Sequence, residues 1–180
     1  MGTISIWHWA IVLGVVGVFA GLAIWAVMSA RSGALGAQPV GFGGWLLLLA
    51  IGQCLGPILT LAQWAQSFDG YDKVLQLPNG AIAIAGETLL NGGLIAFQIF
   101  TAVMLLRKRK NFPKLYAIQW VLLLGLPFAD WIMISFVLNV PLRDVVDPDD
   151  VRKIATSSAA LGLWVWYVFV SVRVRNTFVN

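Results

Sequence analysis

The stretch AIAIAGETLLNGGLIAFQIFTAVMLL, residues 81–106, decides the fold class of this chain. Its only charged residue is Glu87, and a run of about 20 such residues suffices for a helix to cross a bilayer core of ~30 Å. Four other windows have the same character, and the predicted spans are residues 4–28, 42–64, 81–106, 115–140 and 154–172. We therefore expect an all-α fold, an integral membrane bundle of five transmembrane helices.

The composition of the whole chain agrees with lipid as its solvent and argues against several classes of function. Of its 180 residues, 59% are hydrophobic and 11% are charged, whereas about a quarter of the residues of a soluble domain are charged. One His and one Cys are too few for a structural zinc site. The basic residues lack the interleaved aromatics that stack on bases. We expect no metal, no cofactor and no nucleic acid, with the lipid bilayer as the main partner.

The basic residues predict which side of the membrane each end of the chain occupies. With the C-terminus inside, the inner face holds Arg31, Arg107, Lys108, Arg109, Lys110, Lys114, Arg173 and Arg175, which are eight of the twelve. The outer face then holds Lys73, Arg143, Arg152 and Lys153 together with Asp69, Asp72, Asp144, Asp147, Asp149 and Asp150. Because cytoplasmic loops carry an excess of Lys and Arg, we expect the N-terminus outside and the C-terminus in the cytoplasm.

The sequence Asp147-Pro148-Asp149-Asp150 predicts the start of the last helix. It provides an N-cap, a proline at the first helical position and acidic side chains in the first turn. A calcium loop is the alternative, although the full ligand spacing is absent. Capping accounts for all four residues.

Two prolines lie near the middle of predicted spans, in Gly56-Pro57 and in Gly125-Leu126-Pro127. A proline inside a helix removes a backbone hydrogen bond and favours a kink. The two kinks fall at similar depth, so that a cavity between the bent helices would accommodate a small ligand or a lipid chain.

Three landmarks outside the first span carry a family resemblance. Gly43-Gly44-Trp45-Leu46 opens the second span, residues 107–116 form the basic loop RKRKNFPKLY, and residues 171–180 form the tail SVRVRNTFVN. On these landmarks residues 42–180 resemble the domain-of-unknown-function 2569 family, the YdgK-like bacterial inner-membrane proteins of four helices. The resemblance implies a four-helix module at residues 31–180 in a bacterial cytoplasmic (inner) membrane, and it implies no activity.

The first residues carry a different resemblance. Met1-Gly2, ISIWHW at residues 4–9, IVL at residues 11–13 and Phe19 make residues 1–21 similar to the N-terminal anchor of TatA, a component of the twin-arginine translocase. After Phe19 the chain continues as an apolar span instead of the basic amphipathic helix of that family. We therefore interpret residues 1–30 as an N-terminal anchor added to the four-helix module.

The predicted anchor has one face of small residues. Ala10, Gly14, Gly17 and Gly21 fall within an arc of ~60° around a helix, and small residues allow two helices to approach closely in a membrane. This face predicts packing against the other four helices or, alternatively, docking onto a partner subunit.

Polar side chains form a stripe on each of two predicted spans. Glu87, Asn91, Gln98 and Thr101 lie within about 80° on the third span, and Gln53, Thr60, Gln63 and Ser67 form a comparable stripe on the second. Because lipid offers no hydrogen-bond partners, we expect the stripes to face each other. Interhelical packing is one interpretation and a hydrated pathway is the other.

Two carboxylates lie inside spans, where they are costly enough to be functional candidates by default. Glu87 falls ~9 Å and Asp130 ~15 Å below the outer ends of their spans at a rise of 1.5 Å per residue. His8 and Thr60 belong to the same outer layer. This cluster suits proton handling or the binding of a cation or an amine, and it equally suits a structural hydrogen-bonded pair.

The inner basic residues are candidates for contact with anionic lipid headgroups, at ~1 kcal/mol for each basic residue. They are Arg107, Lys108, Arg109, Lys110, Lys114, Arg173 and Arg175. Bound lipids are therefore possible partners, although setting the topology requires no more than these charges.

Three functional hypotheses follow from these patterns. The first is a non-enzymatic accessory or scaffold subunit of a larger membrane complex, with a membrane-protein partner or a second copy of the chain bound to it. The second is a small transporter or proton-coupled channel that uses Glu87 and Asp130. A lipid-modifying enzyme is the distant third, because no convincing catalytic constellation is present.

Overall fold

The structure of the protein is a computed structural model that describes residues 40–179. The predicted first span, its face of small residues and His8 lie outside the described residues. In the described part every regular element is a helix. The helices are α1 (Trp45–Ala65), α2 (Phe68–Val74), α3 (Gly80–Leu106), α4 (Phe112–Leu138), α5 (Leu142–Val145), α6 (Pro148–Val170) and α7 (Val172–Thr177).

Four described stretches are long and apolar enough to cross a membrane, in agreement with the hydropathy of the sequence. They are α1 together with α2, then α3, α4 and α6. The predicted windows 42–64 and 81–106 match α1 and α3 to within three residues. The window 115–140 begins too late, because Pro113 occupies the first turn of α4, and it ends too late, because Asn139 adopts a left-handed conformation.

The start of α6 confirms the capping prediction. Asp147 is the N-cap and its side chain accepts a hydrogen bond from the backbone N–H of Asp149 at 2.9 Å. Pro148 opens the helix, and Asp149 and Asp150 lie in the first turn. The helix therefore begins six residues before the predicted window 154–172, because the hydropathy window began only after this charged first turn.

The long helices form a row in which each packs on the next. Helix α3 packs between α1 and α4, and α4 packs between α3 and α6. The first and last helices of this row, α1 and α6, meet at one end of the bundle through the rings of Trp45 and Trp164, whose centroids are 6.1 Å apart. Further along, a cleft separates α1 from α6.

The end of the bundle where α1 and α6 meet is its best-packed part. We call it the basic end, and it comprises the start of α1, the end of α3, the start of α4, the end of α6, and α7. Its buried core is formed by Leu46, Leu49, Ala50, Leu105, Phe112, Tyr116, Val168, Val174 and Phe178. The tail thus supplies part of the core.

The C-terminal tail turns back beneath the bundle after a break at Ser171. This break ends α6, and the Ser171 hydroxyl then accepts from the backbone N–H of Val174, at 3.4 Å, at the start of α7. Phe178 stacks on Phe112 at a centroid distance of 4.7 Å, and Thr177 accepts a hydrogen bond from the backbone N–H of Gly41 at 2.8 Å. The tail therefore joins both ends of the described chain.

We expect Phe178→Ala to destabilise the protein by about 3 kcal/mol, because it removes a buried ring from a packed core. Stability is measured by unfolding the purified protein in mixed micelles with increasing SDS. The matched control is Phe136→Ala, because Phe136 is 87% exposed and its loss opens no cavity. Equal loss in the two variants would show that the tail does not belong to the core.

Candidate functional site

A reciprocal amide pair lies at the centre of the row. The Gln53 Nε2 donates to Gln119 Oε1 at 2.9 Å, and the Gln119 Nε2 donates to Gln53 Oε1 at 3.0 Å. The Gln53 Nε2 also donates to the backbone oxygen of Gln98 at 3.1 Å. Because Gln53, Gln119 and Gln98 lie on α1, α4 and α3, this group ties three helices together.

A second exchange of hydrogen bonds lies about two turns further along α1. The Thr60 hydroxyl donates to Gln98 Oε1 at 3.2 Å, and the Gln98 Nε2 donates to Thr60 Oγ1 at 3.0 Å. Gln98 is buried and Thr60 is partly buried. We call Gln53, Thr60, Gln98 and Gln119 the polar ladder, because their side chains satisfy one another across helices as a bilayer requires.

Glu87 lies beyond the polar ladder, at the corner between α1 and α2. The hydroxyl of Ser67 lies 2.9 Å from Glu87 Oε1 and 2.7 Å from the backbone oxygen of Trp64. The Trp64 indole N–H donates to the hydroxyl of Tyr71 at 3.0 Å. The carboxylate of Glu87 is therefore linked to a small polar corner instead of facing lipid alone.

Asp130 lies on α4 near Glu87, close enough for the two carboxylates to interact electrostatically. Its Oδ1 is buried and has no hydrogen-bond partner among the described residues. A buried acceptor without a donor is costly, and in a membrane interior an ionisable group is a functional candidate. Among the described residues, Asp130 Oδ1 is thus the one buried side-chain polar atom that lacks a hydrogen-bond partner.

The remaining members of the predicted stripes bond differently from the prediction. Asn91 donates to the backbone oxygen of Glu87 at 3.1 Å, and Thr101 donates to that of Phe97 at 2.9 Å. Both partners lie on α3 itself, so these two residues do not link α3 to α1. Gln63 is exposed and lines the cleft.

Gln119 was absent from the predicted polar cluster, although it forms half of the central pair. It is a single amide within an apolar window, so no periodic polar pattern marks it. The only signal in the sequence is the cost of burying an amide: an amide in a span needs a partner, and Gln53 on another span needs one too.

The cleft between α1 and α6 has a volume of about 1050 Å³. Its α1 wall includes Gly52, Gly56 and Gln63, and its α6 wall includes Ser157 and Leu161. Its floor is formed by residues of α3 and α4, among them Asn91, Gln98, Gln119 and Pro127. The cleft is therefore mixed in polarity, with amide groups on a largely apolar surface.

All seven described members of the predicted lipid-headgroup set lie at the basic end, on α7, at the ends of α3 and α4, and in the loop between them. Lys108 lies over the ring of Phe42 with its Nζ 5.6 Å from the centroid. The guanidinium of Arg173 occupies the space that a side chain at Gly43 would need. Arg107, Arg109, Lys110, Lys114 and Arg175 are exposed and are free of such packing roles.

The described residues contain no candidate metal-binding site. Within residues 40–179 no three His, Cys, Asp or Glu side chains come together as a group that would hold a metal ion. The aspartates around Asp147 lie at the start of α6, and Glu87 and Asp130 lie on adjacent helices, α3 and α4.

Four long apolar helices, a buried polar ladder and a basic end define a polytopic helical membrane protein. The chain belongs to the family described as Protein of unknown function (DUF2569), whose signature matches residues 39–179. This confirms the resemblance noted in the sequence. No curated protein and no solved structure matches the chain. The similarity of residues 1–21 to the TatA anchor lies outside the family match and outside the described residues.

We expect Gln53→Leu to destabilise the fold by about 1–2 kcal/mol, because it leaves the buried amide of Gln119 without its partner. Unfolding in SDS-containing mixed micelles measures the loss. Gln63→Leu is the control, since Gln63 is exposed at the cleft.

The double variant Gln53→Leu with Gln119→Leu should recover most of this loss, because replacing both members of a buried pair leaves no unpaired amide. A double variant that is as unstable as the sum of the two single variants would contradict a direct pair.

Proposed function

We propose that the protein is a five-span protein of the bacterial inner membrane, with residues 4–28 as an additional span, the N-terminus outside and the C-terminus in the cytoplasm. The distribution of charge supports this orientation. Seven basic residues and no acidic residue lie at the basic end of the described chain, whereas Asp69, Asp72, Asp144, Asp147, Asp149 and Asp150 lie toward the other end. Positive charge of this kind retains a membrane end in the cytoplasm.

In this membrane the proposed role is that of a non-enzymatic accessory subunit that binds another membrane protein. The observation that carries the proposal is one face of α6. Ala155, Thr156, Ala159 and Ala160 are exposed and form a surface of small side chains over two turns of this helix. Small residues at this spacing allow a second transmembrane helix to approach closely.

The position of α6 adds support to this role. Among the long described helices α6 packs substantially on α4 alone, so most of its circumference is available. By helical periodicity the small-residue face points away from the side of α6 that carries Ser157 and Leu161 and lines the cleft. A partner at this face would bury α6 without disturbing the polar ladder.

We expect Ala159→Leu to weaken the association with the partner by roughly tenfold, because a longer side chain on a close-packing helix face separates the backbones. The measurement is co-purification of full-length protein from native membranes, quantified by mass spectrometry as the ratio of partner to bait. Ala96→Leu is the control, since Ala96 is exposed on α3, away from α6. A partner ratio that falls equally in both variants, or in neither, would argue against this face.

The unsatisfied oxygen of Asp130 favours a second candidate function, a small transporter or proton-coupled channel. A carboxylate pair within the membrane takes up a proton or a cation when this relieves the cost of burying charge. Glu87 and Asp130 lie on adjacent helices, α3 and α4, and the polar ladder continues from them toward the basic end. These groups would provide the proton-binding step, and the ladder would provide hydrogen-bonding groups along part of the path.

We expect Asp130→Asn to lower any proton flux at least tenfold, because the amide has nearly the same shape and does not ionise near neutral pH. Full-length protein in liposomes with an internal pH dye, under an imposed potassium diffusion potential, reports the flux. The matched control is Asp144→Asn, which makes the same substitution at an exposed carboxylate. Unchanged flux in Asp130→Asn, or none above protein-free liposomes in the wild type, excludes this function.

A further inference from the structure

The α1 wall of the cleft includes two glycines that expose the backbone of the helix. Gly52 and Gly56 lie one turn apart on α1 and both line the cleft. A side chain added at Gly52 would meet no atom within 4 Å, and one added at Gly56 would only touch Gln98 at 3.7 Å. The described residues therefore leave this glycine edge uncovered.

Lipid is a poor cover for the cleft. Its surface includes the exposed amide of Gln63 on α1 and the exposed hydroxyl of Ser157 on α6. Polar groups that face hydrocarbon are costly, and membrane proteins cover them with protein or with water-filled space. A helix seated between α1 and α6 would separate this surface from the acyl chains.

We propose that the cleft is the seat of the N-terminal span of this same chain, residues 4–28, with its Gly17 and Gly21 packed on Gly56 and Gly52 of α1. The inference rests on the proposed five-span topology and adds to it the location of the first span. The chain outside the structure is long enough for this, because thirty-nine residues precede the described part. They join α1 at the basic end, where the cleft begins.

The register follows from the proposed topology, the predicted end of the first span at Met28 and the start of α1 at Trp45. Met28 and Trp45 would lie at the same membrane face, one as the last residue of a span and the other as the first residue of α1. Gly21 and Gly52 are each seven residues from that face, about 10 Å at the helical rise, and Gly17 and Gly56 are each eleven residues away, about 16 Å. Two antiparallel helices would thus bring Gly17-x-x-x-Gly21 and Gly52-x-x-x-Gly56 to the same depth, as close glycine packing requires.

Disulfide trapping in the full-length protein tests this proposal. In a Cys54→Ala background, Gly17→Cys with Gly56→Cys should form an intrachain disulfide under mild oxidation, because small residues let the two backbones approach closely and a disulfide joins Cα atoms about 6 Å apart. The matched control is Gly17→Cys with Gly93→Cys. Gly93 is exposed on α3, it has free space around it, and it lies at a depth similar to that of Gly56, about 20 Å from the basic end. We expect at least about fivefold more intrachain product from the first pair.

A second experiment blocks the proposed glycine contact with a larger side chain. Gly52→Leu, added to the Gly17→Cys and Gly56→Cys pair, should reduce the intrachain product about fivefold, because its side chain would occupy the glycine contact. Gly93→Leu, added to the same pair, should leave the product unchanged. Because the described residues leave free space at both positions, neither substitution is expected to unfold the module.

Thiol labelling at the ends of the first span tests the five-span topology separately from the proposed position of this span in the cleft. Thr3→Cys should react with an impermeant maleimide from outside, and Ser32→Cys should react only after the membrane is opened. If both do so but no Gly17–Gly56 product forms, or Gly52→Leu has no effect, the seat is wrong and the topology stands. Product found only between two chains would assign the cleft to a second copy and overturn the proposal. A protected Thr3→Cys would overturn the five-span topology itself and the seat with it.

Discussion

Hydrocarbon offers no hydrogen bond to a buried amide, and this constraint fixes how the long helices are rotated against one another. Gln53 and Gln119 each give and accept one bond within their pair, and Gln53 also bonds the backbone of Gln98. Turning α1 by one residue, about 100°, would break all of these bonds at once. The buried residues Leu46, Ala50 and Pro57 lie on the same stripe of α1 as Gln53, so the amide pair and the apolar core select the same rotation. The glycine edge of α1 then faces the cleft as a consequence.

The tail and the topology depend on the same end of the molecule. Val174, Thr177 and Phe178 are buried in the core of the basic end, while Arg175 between them is exposed. The chain therefore alternates residues that anchor the tail with a residue that carries charge at the surface. The guanidinium of Arg173 lies where a side chain at Gly43 would stand, so a larger residue at this position would displace that flexible side chain.

Hydropathy and capping predicted most of the described fold, because both are local properties of the sequence. The four described spans and the start of α6 at Asp147 and Pro148 followed from the sequence to within a few residues at most ends. The return of the tail did not, since Ser171 ends α6 without a proline or a glycine to signal the break. For the polar residues the outcome depended on crossing geometry. Thr60 and Gln63 belong to one predicted stripe, yet Thr60 bonds Gln98 whereas Gln63 lies at the cleft. A stripe on a sequence gives the face of a helix, and only the packed helices show how far along that face the contact extends.

The two open surfaces of the described module have different physical requirements. The small-residue face of α6 is uncharged and apolar apart from Thr156, whose hydroxyl is already bonded to backbone oxygens of its own helix. Lipid can cover this face at little cost, so a partner there is bound by close packing and is dispensable for folding. The cleft is different, because its amide-lined floor is part of the structure that holds α1, α3 and α4 together. The exposed amide of Gln63 and the hydroxyl of Ser157, which line the cleft, would face hydrocarbon if lipid filled it, and this costs free energy. A helix that covers the cleft therefore contributes to the stability of the fold. A segment of the same chain suits this role better than a partner that dissociates, because it is always present.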